Sequence, residues 1–218
     1  MTSASTIDVS DMIPVHQALR ETLGAAPRLV GTVEDGDCDR RALIANFYGN
    51  VIAFLHVHHQ GEELLVFPVL RERCPDEQSL VDRIAGQHRD VDRLVSESTA
   101  LLQRWDSGDA GDRDTCARTL HALGKQLTLH LDDEEQLVLP LCAAHLSEAE
   151  WGALPGHALG SFDGDKVWLI LGLIRANMTD EQRDRMLVNM PPPAVDMWTS
   201  FGESSYNALM EQVGPLNS

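Results

Sequence analysis

Positive charge is scarce in this chain. Its 218 residues carry 17 Lys and Arg against 34 Asp and Glu, a formal net charge of -17. Affinity for phosphate backbones and anionic lipid heads depends on clustered Lys and Arg, so nucleic acid and membrane surfaces are not expected partners. Lysine itself is confined to Lys125 and Lys166, a bias that reflects coding more than chemistry. Long hydrophobic runs are missing as well. The most apolar stretch, Val167 to Ile174, falls far short of the roughly 20 residues that span a bilayer. The start, Met1 to Met12, has no positive region followed by an apolar run, and a soluble, cytoplasmic protein is the expectation. Paired cysteines are absent too: Cys38, Cys74, Cys116 and Cys142 stand apart with no CxxC, which argues against a zinc knuckle and a disulfide framework. They read as reduced thiols, mostly packing residues. The length suffices for one well-buried core plus an appendage, or for two small domains.

What the chain does have is an internal repeat. The run from His58 through Glu62 to Pro68 recurs, 72 residues later, as His130 through Glu134 to Pro140. At the same offset His16 falls on His88, Gly36-Asp37 on Gly108-Asp109, and Arg41 on Arg113. Each half therefore reads His, 41 residues, His, three residues, Glu. Apolar positions obey the offset with alternating spacings of four and three. Met12, His16, Leu19, Leu23, Ala26 and Val30 match Ile84, His88, Val91, Val95, Ser98 and Leu102. Ile44, Tyr48, Val51, Leu55, His58, Glu62, Leu65 and Val69 match Cys116, Leu120, Leu123, Leu127, His130, Glu134, Leu137 and Leu141. This spacing predicts four helices, each with a core stripe. Turn residues at Gly31 to Asp37, at Cys74-Pro75-Asp76 and at Asp106 to Gly111 give short connections. Short connections favour an all-α, antiparallel up-down-up-down four-helix bundle.

Chemistry lies in the polar residues on those stripes. His58 and Glu62 are one turn apart, roughly 6 Å along the axis and about 40° around it, so both leave the same face. His130 and Glu134 repeat the arrangement. All four occupy positions that Leu and Val hold a turn away, which places two carboxylates inside the bundle. An unpartnered buried carboxylate costs at least several kcal/mol. No Lys or Arg lies on any stripe, so metal ions at the bundle axis are the expected partners. Imidazole with carboxylate suits iron, manganese or zinc. The candidate ligands are His16, His58, Glu62, His88, His130 and Glu134.

Other polar residues read differently. Glu63 and Glu135 lie about 100° further round and are expected in solvent or in support of a ligand. His59 shares the HxxxE spacing with Glu63, but its counterpart is Leu131, so His58 takes the symmetric role. His56, His121, His145 and His157 have no repeat partner and are expected on the surface or in loops. Tyr48, ten residues before His58, is expected in core packing, and Asp92 toward solvent.

The pattern H, HxxxE, H, HxxxE, continued after each pair by EExL(V/L)xP in this chain, resembles the hemerythrin HHE cation-binding family over about residues 8 to 146. The resemblance implies two non-heme irons, with an oxo or hydroxo bridge. His16, His58, His88 and His130 would be terminal ligands, and Glu62 and Glu134 bridging ones. Oxygen-carrying hemerythrins differ: they have a further histidine where this chain has Asp92, and an aspartate from an HxxxxD segment. The implied chemistry is reaction with small oxidants, namely hydrogen peroxide, nitric oxide or dioxygen, as in a catalase- or peroxidase-like enzyme. A non-catalytic oxygen or iron carrier or sensor is the alternative.

Residues 147 to 218 read as a C-terminal helical extension. A helix is expected over Asp165 to Ala176, another after the Thr179-Asp-Glu-Gln182 capping box, and a third over Ala194 to Gln212, beyond Pro191 to Pro193. Trp168, Trp198, Phe201 and Tyr206 are expected to pack it against the bundle or against a second subunit of a homodimer.

Overall fold

A computed structural model describes residues 6–108 and 112–217. Among them the chain is all-helical, without a strand. The first stripe forms α1 (Met12–Gly24) and α2 (Ala26–Gly31). They part at Ala25 because Pro27, in the first turn of α2, has no N–H to donate to the preceding turn. The second stripe forms α3 (Cys38–Gly61), a π-turn at Glu62–Val66 and α4 (Phe67–Arg73). Asp37 caps α3 by accepting from the Arg40 N–H at 2.9 Å. The repeat supplies α5 (Gln78–Asp106), α6 (Arg113–Asp133), a π-turn at Glu134–Val138 and α7 (Leu139–His145). Gly36 and Gly108 both have positive φ, 88° and 106°, so the two halves share the turn conformation that favours glycine. Asp109, Ala110 and Gly111, part of the expected third connection, lie outside the described residues.

The extension is helical: α8 (Glu148–Trp151), α9 (Ala153–Ser161), α10 (Val167–Ala176), α11 (Asp180–Asn189), α12 (Pro192–Met197), a π-turn at Trp198–Gly202 and α13 (Glu203–Val213). The Thr179 capping box is formed on both sides. The α8 and α9 helices escaped the sequence reading, since Gly152 stands between them and α9 itself holds the breakers Pro155, Gly156 and Gly160. Of the four tail aromatics, Trp198 is buried and Trp168 and Tyr206 pack partly buried on the core, whereas Phe201 is exposed.

Packing divides the interior into two apolar clusters. One runs through Leu19, Leu55, Val91 and Leu127 and continues into α10 and α13 through Leu169, Leu173 and Val213. The other gathers Met12, Phe67, Ile84, Val138 and Trp151. Between them each long helix carries a polar residue, which places His16, His58, His88 and His130 in one layer. Tyr48 is fully buried and donates its hydroxyl to the Thr22 carbonyl at 3.1 Å. Among the described residues all four cysteines are free, with Cys38 exposed and the other three buried.

Within the extension, α10 and α13 meet closely at Gly172, where an added Cβ would fall on the Tyr206 ring. Gly172→Ala should therefore cost about 1–3 kcal/mol by overpacking. Gly49→Ala, in α3 with open space around it, should instead gain about 0.5–1 kcal/mol. Urea denaturation compares them, and equal effects would contradict this packing.

Candidate metal centre

Both buried glutamates open a π-turn, and proline explains why. Pro68 lacks an N–H and its ring would collide with the carbonyl four residues back, so the ladder widens and the Phe67 N–H reaches the Glu62 carbonyl instead. Pro140 does the same, with the Leu139 N–H on the Glu134 carbonyl. The extra residue advances the buried face by one position. Val66, Leu70, Val138 and Cys142 are buried, whereas Leu65, Val69 and Leu141, expected on the stripe, are only half-buried. Leu137, also expected there, is 37% exposed. Only a hydrogen-bond pattern reveals this phase slip; apolar spacing does not.

The structure brings all six candidate ligands together. They are between 0 and 7% exposed. Two histidine pairs stand in nearly the same edge-on arrangement: His16 and His58 at 5.2 Å and 76°, His88 and His130 at 4.7 Å and 79°. Glu62 lies between the pairs, with Oε1 3.3 Å from His58 Nε2 and Oε2 3.2 Å from His88 Nε2. Glu134 Oε2 also spans them, 3.6 Å from His16 Nε2 and 3.7 Å from His130 Nε2. Yet none of these approaches has hydrogen-bond geometry. All four Nε2 atoms, both Glu62 oxygens and Glu134 Oε2 are buried without a hydrogen-bond partner among the described residues.

Three of the four outer nitrogens, by contrast, are satisfied. His16 Nδ1 donates to Glu135 at 2.8 Å and His88 Nδ1 to Glu63 at 3.1 Å, each glutamate supporting a histidine of the other repeat. Arg20 adds a 2.6 Å bond to Glu135. His130 Nδ1 donates to the Gln87 carbonyl at 3.1 Å. An Nδ1–H held in this way leaves the Nε2 lone pair bare and aimed inward, the form a metal requires.

Electrostatics agree. Burial holds His58 down at about 4 and His130 at about 3, so both imidazoles are neutral at pH 7. Burial also lowers His88, but the nearby Glu62 carboxylate and the bond to Glu63 outweigh this and raise it. Burial and the neighbouring Glu62 charge push Glu134 well above the usual carboxylate range. Burial works the same way on Glu62, where the histidines prevail and lower it. His16, His58, Glu62 and Glu134 place ligand-capable atoms within 4.8 Å of one another, and so do His59, His88 and His130.

His59 is buried against the ring of His88, because α5, α9 and α10 cover α3 on several sides. His157, expected on the surface or in a loop, instead sits on α9, half-buried, against Gly61. A cavity of about 480 Å³ opens beside the layer, with Val15, Phe54 and His58 on one wall and Leu154, His157 and Ile170 of the extension on the other.

A buried layer to which each of four helices delivers a histidine, with two carboxylates between, defines a helical metal-binding protein. The model of the hemerythrin HHE cation-binding domain matches residues 8–142, and the chain belongs to that family. No curated protein and no solved structure matches it.

The metal-free protein should lose stability in mild acid. His58, His59 and His130 are shifted down by burial when folded and outnumber His88 and Glu134, which are shifted up, so in the acid part of the window between pH 6.5 and about 4 the unfolded chain binds more protons. Stability then rises with pH there. Urea midpoints of the metal-stripped protein should be lower at pH 5 than at pH 7; an equal or higher midpoint at pH 5 would contradict the burial of neutral imidazoles.

Proposed function

We propose that the layer holds two irons and reacts with small oxidants. His16 and His58 would bind one ion, His88 and His130 the other, with Glu62 and Glu134 bridging. The observation that carries this reading is the set of inward-facing atoms left without partners, arranged as two like histidine pairs around two carboxylates. Imidazole and carboxylate without thiolate fit iron. In this reading residues 8 to 146 form an up-down-up-down bundle and residues 147 to 218 a helical extension that walls the cavity at His58.

Two irons, when bound, supply paired electrons at neighbouring centres, which two-electron reduction of peroxide needs. The chain's own residues do the rest. Glu135 and Glu63 fix the orientation of His16 and His88. Val51, Leu55, Leu123 and Leu127 are buried beside the layer and exclude bulk water. The edge of His58 on the cavity gives small reactants an approach.

Glu62→Ala or Glu134→Ala should remove most of the iron from purified protein. Glu135→Gln should weaken iron binding roughly 10–100-fold, the usual cost of losing a group that orients a ligand. Glu63→Gln should do less, because Glu63 has no counterpart of Arg20: the equivalent residue is Asp92. Metal analysis after dialysis against a chelator reads all four, and equal iron retention would contradict the ligand assignment. The iron-loaded protein should decompose hydrogen peroxide, with His58→Ala or His130→Ala abolishing the activity while helicity is kept. Protein that leaves peroxide untouched yet oxygenates reversibly would be a carrier or sensor instead.

A further inference from the structure

His59 is the one histidine of the layer without an assigned role. It is 3% exposed, and both ring nitrogens are buried with no partner among the described residues. A neutral imidazole carries one N–H donor and one bare nitrogen, and leaving both unmet in a dry interior is costly. Its counterpart in the second repeat, Leu131, fills the same position with hydrocarbon and is fully buried. Packing alone would therefore be satisfied by leucine.

Nor is His59 placed to share an ion with His88. Its ring and that of His88 are 4.1 Å apart and 11° from parallel. Rings so close and so nearly parallel must lie face over face, since side by side their edges would collide. The lone pairs of stacked rings run alongside one another and do not converge on one ion. The pairs that do look like ligands to a common ion are edge-on, near 76° and 79°. Phe67 also stacks on His88, at 5.3 Å and 24°, and holds it in place.

The His59 ring is nevertheless close to three candidate ligands: 4.1 Å from His88, 5.0 Å from His130 and 5.5 Å from His58. A small molecule seated on the metal pair would be within its reach. We propose that His59 is the hydrogen-bond donor to a small anion bound at this centre, so that one wall of the site is polar while the wall at Leu131 is hydrocarbon. The anion's charge would be met by the metals and its far end by the imidazole N–H, a charge-assisted bond. His59 is then a ligand-contacting residue that sets affinity for anions, without binding metal itself.

This inference rests on the two-iron reading, and azide titration of the iron-loaded full chain separates the two. Azide is a small linear anion, and its binding is followed by the optical spectrum alongside iron per chain. His59→Leu, the residue the second repeat uses, should keep two irons and lose about tenfold or more in azide affinity, the size of one hydrogen bond to a charged group. His59→Gln, which restores a donor, should recover part of the loss. Unchanged azide affinity in His59→Leu would overturn the inference alone. Loss of an iron in that variant would overturn it by making His59 a ligand. Wild-type protein that takes up no iron pair would remove the two-iron reading and this inference together.

Discussion

Two carboxylates are buried in the layer, and among the described residues no lysine or arginine pairs with them. Glu62 and Glu134 lie between two apolar clusters, and Arg20, whose charge acts on Glu134, is spent on Glu135 and Asp132. Desolvating such groups without a strong partner costs several kcal/mol each. The surroundings follow from that constraint. Four imidazoles face the layer, outer glutamates and Gln87 lock the tautomers of His16, His88 and His130, and two prolines widen the helices where the carboxylates sit. Binding of metal and folding of the layer are then one free energy, because ions neutralise what the fold has buried.

The repeat is two-fold in the histidines and glutamates of the layer and not in their environment. Arg20 anchors Glu135, whereas Asp92 stands where an arginine would anchor Glu63. Gln87 holds His130, whereas Val15 takes the equivalent place near His58 and lines the cavity. His59 opposes Leu131. The extension adds to the imbalance, covering the His58 side through α9 and α10. In the two-iron reading, two chemically similar ion positions would thus have different approaches, which is how a symmetric set of side chains could direct a reactant.

Much of this was legible in the sequence, because a carboxylate repeated in register on an apolar stripe has few meanings. The offset alone located His16, His58, Glu62, His88, His130 and Glu134, and placed Glu63 and Glu135 off the stripe. It failed where local backbone or tertiary cover decides. The π-turns shift burial from Leu65 to Val66 and from Leu137 to Val138, a slip of one residue that fixed helical spacing cannot represent. Symmetry gave His59 no role, because its counterpart is Leu131, and only the tertiary cover of α3 by other helices shows that it is buried. The short helices α8 and α9 were hidden by Gly152, Pro155 and Gly156, and with them the outer wall of the cavity.

X-ray absorption at the iron edge of the reconstituted full chain tests the central claim most directly, since it reports both the donor atoms and whether a second metal lies nearby. Two irons in this layer should give a shell of nitrogen and oxygen only, with imidazole scattering and a strong metal–metal feature. A single isolated iron, or sulfur in its first shell, would contradict the account.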